Sequence, residues 1–313
     1  MAPILPAAAL PAAGSLAVQP PGHPAGHRAR HRLSTPHART PLTPARHPFL
    51  EHLLSRHAAC PDITIIIATQ LCPERLDYLR ELYHSLTQQT VPWEAVLAVD
   101  GADPARVPSV LAGDPRVRVL ALPRAVGAAA ARNLALNQVR TKFVAYADDD
   151  DLLPADSLAV RHRHLTATGL GWVAGWSADL LPDGTTRTWI CPTPPGPHAP
   201  GNVWTYWASP SAEIPLGQTM LLAHTELVRA AGGHGGLPQA EDFLMVNGVT
   251  TLAAGELLPH VVYFYRKHPH QMSRGAQFDT FEGPAREFAF RHGQRLRAAL
   301  AERPRVTSDA ARS

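Results

Sequence analysis

The chain has 313 residues, of which 45% are hydrophobic and 18% charged, and its formal net charge is +3. This composition is typical of a soluble globular protein with one large domain or two small ones. The sequence contains no run of about 18 apolar residues, so we expect no membrane span.

The three cysteines are Cys60, Cys72 and Cys191, and they form neither a C-x-x-C pair nor an even disulfide framework. This pattern argues against a thiolate metal site and is typical of a reducing compartment. We therefore expect a cytoplasmic protein.

Residues 1–58 are rich in Pro, Ala, His and Arg. Residues 1–50 contain five arginines and no Asp or Glu, so the remainder carries −2, which is 3 minus 5. The repeated prolines predict a disordered tail. A signal peptide in residues 1–17 is disfavoured because a basic start and an uninterrupted apolar core are missing. A nucleic-acid-binding arm is an alternative, but with only two lysines in the chain we expect no nucleic-acid partner.

Strand and helix patterns alternate from about residue 61 onward. The strand patterns are ITIIIA (63–68), EAVLAVDG (94–101), VRVLAL (117–122) and KFVAYA (142–147). The helix patterns are PERLDYLRELYHSL (73–86) and GAAAARNLALNQV (127–139). This alternation predicts an α/β fold with a mostly parallel, twisted sheet covered by helices on both faces. Ligands of such sheets bind beyond the carboxyl ends of the strands.

Four consecutive aspartates, 148–151, follow the fourth strand pattern directly. Side chains alternate in an extended segment, which predicts Asp148 and Asp150 on one side and Asp149 and Asp151 on the other. Two carboxylates on one side suit a hard divalent cation such as Mg²⁺ or Mn²⁺. A solvated acidic loop or a helix N-cap is the alternative, and the position after a buried strand favours the cation.

A second acidic feature lies in GGHGGLPQAEDFLMVNGV, residues 232–249. We expect a helix to begin near Gln239, which places Glu241 and Asp242 in its first turn. Carboxylates there stabilise the helix start, and a carboxylate near a substrate can also act as a general base. From the spacing alone, the structural role is favoured.

Seven segments in order, within about residues 62–275, resemble the family 2 glycosyltransferases of the GT-A fold. These segments are ITIIIATQ with the following helix, AVLAVDG, VGAAAARNLAL, YADDDDLLPADSL, GQTMLLAHTELVRAAGGHGGL, AEDF and YRKHPHQMSR. Two departures are visible. ITIIIATQ stands where the family usually has S-V-I-I-P-T-Y-N-R, and AVLAVDG lacks one Asp of the usual V-D-D-G-S.

The resemblance implies a metal-dependent enzyme that inverts the anomeric carbon in one displacement. Asp148 and Asp150 correspond to the metal-binding D-x-D pair for Mn²⁺ or Mg²⁺, and His268 corresponds to a histidine that completes the site, with His270 as a competitor. Asp242 corresponds to the base that deprotonates the acceptor, with Glu241 as its neighbour.

The resemblance also implies binding of a nucleotide sugar, with a UDP-sugar favoured. The residues expected to contact this donor are Ala68, Thr69, Gln70, Asp100, Arg132, Asp148, Asp149 and Gln218. Of these, Asp100 is expected to accept a hydrogen bond from the base. The acceptor, a small molecule, a glycan or a carrier, and the oligomeric state are left open.

The domain organisation expected from these patterns is a tail at 1–58, a GT-A domain at 59–280 and a C-terminal helix with a frayed end at 281–313. The domain divides into a nucleotide-binding half, 59–153, and an acceptor-binding half, 154–280. A nucleotidyltransferase that makes nucleotide sugars is an alternative, although ATQLCPERL after the first strand is not a Gly-rich phosphate loop. A non-catalytic nucleotide-sugar-binding protein is a second alternative. An NAD-dependent enzyme ranks lowest because no G-x-G-x-x-G follows ITIIIA.

Overall fold

The computed structural model describes residues 63–272 and 276–302, and the expected tail at 1–58 lies outside them. Within these ranges nine strands form one sheet. The strands are β1 (Ile63–Thr69), β2 (Trp93–Asp100), β3 (Val117–Leu122), β4 (Phe143–Asp148), β5 (Trp172–Leu180), β6 (Thr186–Thr188), β7 (Gly196–His198), β8 (Leu221–His224) and β9 (Gly255–Arg266).

Seven α-helices accompany the sheet in the described part of the chain. They are α1 (Leu76–Thr87), α2 (Ser109–Ala112), α3 (Ala128–Leu136), α4 (Ser157–Thr168), α5 (Thr225–Ala230), α6 (Glu241–Leu252) and α7 (Ala276–Ala301). Short 3₁₀ turns span Pro73–Arg75, Pro104–Arg106, Val203–Tyr206 and Gln218–Met220. None of the helices in these ranges combines the length and the apolar character that a membrane crossing requires.

The sheet has the strand order β3-β2-β1-β4-β8-β5-β9-β7, with β6 paired to β5. The first four strands are parallel, as the alternating strand and helix patterns predict. β8 runs antiparallel to both β4 and β5, so the second half of the sheet is mixed. The carboxyl ends of β1, β2 and β4 therefore meet at one edge, where Thr69, Asp100 and Asp148 are the last strand residues.

Helices cover both faces of the sheet, which explains why the central strands are apolar on both sides. In β1, Ile63, Ile65 and Ile67 pack in the core shared with α1, α2 and α4. Ile66 points the other way, into the core shared with α3, α5 and α6. All four side chains are at most 1% exposed, and burying each stabilises the fold by about 1.5–3 kcal/mol.

The helices begin and end within a few residues of the predicted boundaries. Pro73 opens a 3₁₀ turn, and α1 itself begins three residues later. The predicted helix at 127–139 is shorter, because Gly127 has φ +88° and lies outside α3, which ends at Leu136. α7 begins at Ala276, before the expected boundary at 281, and its Ala289 joins the core that contains α6 residues.

Candidate functional site

A cleft of about 1440 Å³ opens at the edge where β1, β2 and β4 end. It is lined by all but one of the residues that the sequence singles out: Ala68, Thr69, Gln70, Asp100, Arg132, Asp148, Asp149, Asp150, Gln218, Glu241 and Asp242. His268 is the exception, since it is 3% exposed and lies behind Asp150. The structure thus brings together residues that are up to 174 positions apart in the sequence.

The four aspartates do not alternate as an extended segment would. β4 ends at Asp148, and the Asp151 amide donates to the Asp148 carbonyl at 3.3 Å, so residues 149 and 150 form a turn. Asp149 and Asp150 consequently share one partner, the Arg75 guanidinium. Asp151 is fully buried and accepts a hydrogen bond from the Arg266 amide at 2.7 Å. The predicted pairing of sides is therefore wrong, because the strand ends one residue into the cluster.

Arg75 binds the middle of the cluster from the loop after β1. Its Nη2 forms ion pairs with Asp149 and, at 3.0 Å, with Asp150 Oδ2. Thr69 Oγ1 donates a further hydrogen bond to Asp149 at 2.5 Å. Burial raises the pKa of Asp149 to about 6, although the charge of Arg75 and the Thr69 hydroxyl oppose the rise. Asp149 is thus held as part of the scaffold and is ionised at neutral pH.

Arg132, on α3, links the aspartate cluster to the start of α6. Its Nη2 lies 2.6 Å from Asp148 Oδ1 and its Nη1 lies 3.1 Å from Glu241 Oε1. Burial opposes the charge of Arg132, but Asp148, Glu241 and Asp242 outweigh it and raise the Arg132 pKa. Arg132 therefore stays charged and fixes the separation between the two acidic features.

His268 is held in a fixed orientation behind Asp150. The amide of His270 donates to His268 Nδ1 at 3.2 Å, so the ring proton is on Nε2. That Nε2–H group donates to Asp150 Oδ2 at 2.8 Å. In the described part of the chain, no three His, Cys, Asp or Glu side chains are gathered about a point as a metal site made only of protein requires.

Among the carboxylates that line the cleft, Asp242 has a pKa raised close to neutral pH. It lies in the first turn of α6 beside Glu241, as the sequence predicts. Burial raises the pKa of Asp242 to about 7, the Glu241 charge adds to the rise, and Arg132 opposes it. Glu241 pairs with Arg132, whereas Asp242 makes no ion pair with any described residue. A carboxylate with a near-neutral pKa that faces a cleft suits a general base.

Asp100 organises the loop that leads into α3. Its Oδ1 and Oδ2 accept hydrogen bonds from the amides of Val126 at 2.7 Å and Gly127 at 3.1 Å. Gly101, which follows it, has φ +74°, and a Cβ there would collide with the backbone of Ala125. The Gly in place of a second Asp therefore has a structural reason. Each Asp100 oxygen keeps a second lone pair that can accept from a ligand.

The far end of the cleft is more apolar and lies on the side of β5 and α7. Trp189, Ile214, Met272 and Phe278 line it. Trp189 is partly exposed, and its Nε1 donates to Glu213 at 3.2 Å. These side chains add apolar surface to the cleft that contains the predicted base.

Two residues that contact the predicted site residues were missed by sequence reasoning. Arg75 ends the 3₁₀ turn Pro73–Arg75 that follows β1, and its place in the first connection after that strand was the available signal. His234 lies in a Gly-rich loop, and its Nε2 is 2.6 Å from Gln218 Oε1. Nothing in the local sequence pattern distinguishes His234 from a surface histidine.

Comparison with known proteins gives a family match over the first part of the sheet. Residues 64–190 match the family model described as Glycosyl transferase family 2. The succinoglycan biosynthesis protein ExoO of Rhizobium meliloti (strain 1021) is 33% identical over 111 residues, which are 35% of this chain and 31% of that protein. The chain thus matches about a third of the length of this curated relative.

Solved structures of TarS from S. aureus have a similar fold. TarS 1–349 in complex with UDP-GlcNAc superposes with a TM-score of 0.58 at 18% identity, covering 77% of this chain and 71% of that one. Another structure of TarS 1–349 superposes with a TM-score of 0.54 at 19% identity, covering 66% of this chain and 60% of that one. At this identity the likeness establishes the fold, and it confirms the expected GT-A architecture.

Proposed function

We propose that this chain, whose residues 64–190 match the Glycosyl transferase family 2 model, is a family 2 glycosyltransferase that transfers a single sugar from a nucleotide-sugar donor to an acceptor hydroxyl or amine. The observation that carries the proposal is the arrangement of the cleft. Asp242, with a pKa of about 7, lies across Arg132 from the Asp148–Asp150 cluster. A base and a leaving-group site face one cleft.

The donor lies along the edge formed by β1, β2 and β4. Thr69, Gln70 and Asp100 line this edge and hold the nucleotide. UDP is the favoured nucleotide, and the fold neighbour TarS, which was crystallised with UDP-GlcNAc, supports this choice. The Arg132 guanidinium lies beside Asp148, where a planar cation stabilises a diphosphate.

The acidic cluster fits a divalent cation that is shared with the donor. Arg132 engages Asp148 through Oδ1, and Arg75 and His268 engage Asp150 through Oδ2, so one oxygen of each carboxylate is outside these contacts. Asp148 and Asp150 would hold Mn²⁺ or Mg²⁺ through these oxygens, with donor phosphates and water completing the shell. When bound, the cation supplies stabilisation of the charge on the departing diphosphate. His268 orients Asp150, because its ring nitrogens are both engaged.

The chain's own residues perform the proton transfer. Asp242 accepts the proton of the acceptor hydroxyl as the acceptor oxygen forms its bond to the anomeric carbon. The bond from that carbon to the diphosphate oxygen breaks, and its electron pair leaves with the nucleoside diphosphate. A single displacement of this kind inverts the anomeric carbon. Glu241, tied to Arg132, keeps the base and the leaving-group site at a fixed separation.

The test separates donor binding from chemistry through Asp242→Asn, with Asp77→Asn, an exposed helix carboxylate, as the matched control. Calorimetry measures UDP binding, and UDP release from UDP-glucose, UDP-galactose and UDP-GlcNAc measures turnover. We expect near-normal UDP affinity and a loss of turnover of about 10²–10⁴-fold in Asp242→Asn only. Unchanged turnover would refute the base assignment. Consumption of a nucleoside triphosphate with a sugar 1-phosphate, and no UDP release, would instead identify a nucleotidyltransferase.

A further inference from the structure

His234 is a buried histidine at the wall of the cleft. It is 4% exposed and lies in the loop between α5 and α6. Asn133, on α3, fixes its backbone from both sides, since Asn133 Oδ1 accepts from the His234 amide at 2.8 Å and Asn133 Nδ2 donates to the His234 carbonyl at 2.9 Å. The ring packs edge-on against Tyr146 at 4.8 Å between centroids. The imidazole therefore has a fixed orientation.

The hydrogen bonds of the ring define its protonation. Nε2 lies 2.6 Å from Gln218 Oε1, and because an amide oxygen only accepts, the ring proton is on Nε2. Nδ1 is buried and has no hydrogen-bond partner among the described residues. An imidazolium would place a second N–H group at that unpartnered position. Burial and the nearby charge of Arg132 lower the His234 pKa well below its usual value, so the ring is neutral.

Gln218 is fixed by this contact in one of its two amide orientations. Its carbonyl oxygen is occupied by His234, so the side chain offers the other end, the Nε2 amide, as a donor. No described residue accepts a hydrogen bond from that amide nitrogen, nor is the nitrogen among the buried atoms left without a partner. Since Gln218 lines the cleft, the amide N–H group is available to a ligand.

The backbone of the Gln218 turn is anchored separately. Arg161, fully buried on α4, donates through Nη1 to the carbonyls of Met220 and Leu221, each at 3.2 Å. The turn leads directly into β8, which pairs with β4, the strand that ends at Asp148. The amide is thus held next to the part of the cleft where a sugar attached to a diphosphate must lie.

We propose that His234 is a positioning residue that locks the Gln218 amide so that its N–H group donates to a hydroxyl oxygen of the donor sugar, and that this pair sets the preference among donor sugars. The inference rests on the proposed function. A donor group that cannot rotate rejects sugars that offer it no acceptor, because the N–H group then stays unpaired in a desolvated site. A freely rotating glutamine would present its oxygen or its nitrogen as needed and would discriminate less.

The test compares the affinity for UDP-sugars with that for UDP alone, because a general loosening of the site changes both. Calorimetry is run with UDP, UDP-glucose, UDP-galactose and UDP-GlcNAc on His234→Phe, which keeps the ring packing on Tyr146, and on Gln218→Met. His198→Phe is the matched control, since His198 is also 4% exposed, and its hydrogen-bond partners among the described residues, Pro194 and Asn202, lie outside the cleft.

We expect unchanged UDP affinity in both variants and a 10–100-fold loss of the preference for the best sugar over the others. The double variant is expected to lose no more than either single variant, because the two residues act as one unit. Unaltered sugar preference in the variants, or additive losses in the double variant, overturns the inference. If His234→Phe does not fold, the Gln218→Met result decides alone. Failure of the wild-type protein to bind any of the four nucleotides refutes the proposed function instead.

Discussion

At the scale of single residues, the charges of the cleft are divided among partners in a way that separates their roles. Asp149 and Asp150 share Arg75, while Asp148 and Glu241 share Arg132. Each of these four carboxylates forms an ion pair with a guanidinium group, and a guanidinium keeps its proton near neutral pH. Asp242 forms no ion pair with a described residue, and its pKa is raised by burial and by the neighbouring Glu241 charge, against the opposing charge of Arg132. The carboxylates of one cleft thus differ in their charged partners.

The raised pKa of Asp242 predicts the pH dependence of turnover. A base accepts a proton only when it is ionised, so activity requires the form that predominates above the Asp242 pKa of about 7. We expect the rate of UDP release at saturating donor to fall about tenfold per pH unit below pH 7 and to be level above it. A rate measured between pH 5 and pH 9 checks this, with UDP affinity as the control. An acid limb centred near pH 4 contradicts the assignment.

The same shift predicts an effect on stability. The folded pKa of Asp242 lies above the value of an unfolded chain, about 3.9, so ionising it costs folding free energy that is absent at pH 4 and complete above pH 7. Asp242→Asn is therefore expected to stabilise the protein at pH 8 relative to pH 5. Because residue 242 is partly exposed to solvent, we expect the change in the free energy of unfolding to differ between the two pH values by about 1–2 kcal/mol. Urea unfolding at both pH values measures the difference, and an equal effect at both rejects the desolvation account.

At the scale of elements, the start of α6 has a strained backbone beside the proposed base, Asp242. Ala240, immediately before Glu241, has φ +56° and ψ +22°, a left-handed conformation that costs a residue with a Cβ about 1–2 kcal/mol. The amide of Gly235 donates to the Glu241 carbonyl at 3.1 Å and pins the preceding loop to the same turn. The strain is thus maintained by neighbouring contacts, and it accompanies the placement of Glu241 and Asp242 at the cleft.

Relieving that strain predicts a stabilising substitution. Ala240→Gly removes the Cβ and is expected to raise the free energy of unfolding by about 0.5–1 kcal/mol, after the larger chain entropy of glycine is included. Ala299→Gly, on the exposed side of α7, is the control. This substitution should lower the free energy of unfolding by about 1 kcal/mol. Urea unfolding of both variants gives the comparison. Destabilisation by Ala240→Gly shows that the left-handed conformation carries no strain.

At the scale of the whole molecule, the first half of the sheet was predictable and the second half was not. β1 to β4 are β-branched or apolar runs separated by helix patterns, and parallel order with right-handed crossovers follows from that alternation. β6 and β7 have three residues each and are defined by pairing with distant strands, which local periodicity does not reveal.

The site divides in the same way. The acidic positions were predictable because they follow a strand or open a helix, and the structure brings Asp148, Asp150 and Asp242 to one cleft. Of the two cations that pair with them, Arg132 was predicted as a site residue and Arg75 was not. Arg75 meets Asp149, which is 74 positions later in the chain, and no local pattern encodes such a pair. The expected alternation of the aspartates failed because the end of β4 is set by sheet pairing, which continues only as far as Asp148 opposite Ala68.

The balance of charge over the whole cleft predicts that metal binding depends on the donor. Arg75 and Arg132 already neutralise much of the acidic cluster, so a divalent cation alone gains little from it. A donor diphosphate would add negative charge and further oxygen ligands, and it would thereby strengthen the binding of a cation that Asp148 and Asp150 hold. We expect Mn²⁺ without nucleotide to shift the melting temperature by less than about 1 °C, whereas Mn²⁺ with UDP at 100 times its dissociation constant adds about 2.7 kcal/mol, or roughly 5–10 °C.

Thermal melts with UDP, with Mn²⁺ and with both, each repeated in EDTA, measure this dependence. Asp150→Ala is expected to abolish the metal-dependent part of the shift and to leave the metal-independent part of UDP binding within about threefold. Asp183→Ala is the control, since Asp183 lies in an exposed turn and, among the described residues, accepts hydrogen bonds from Thr185 alone. A large shift with Mn²⁺ alone would show that the protein holds the metal without the donor. An equal UDP shift in Mn²⁺ and in EDTA would mean that the two arginines, rather than a metal, neutralise the diphosphate.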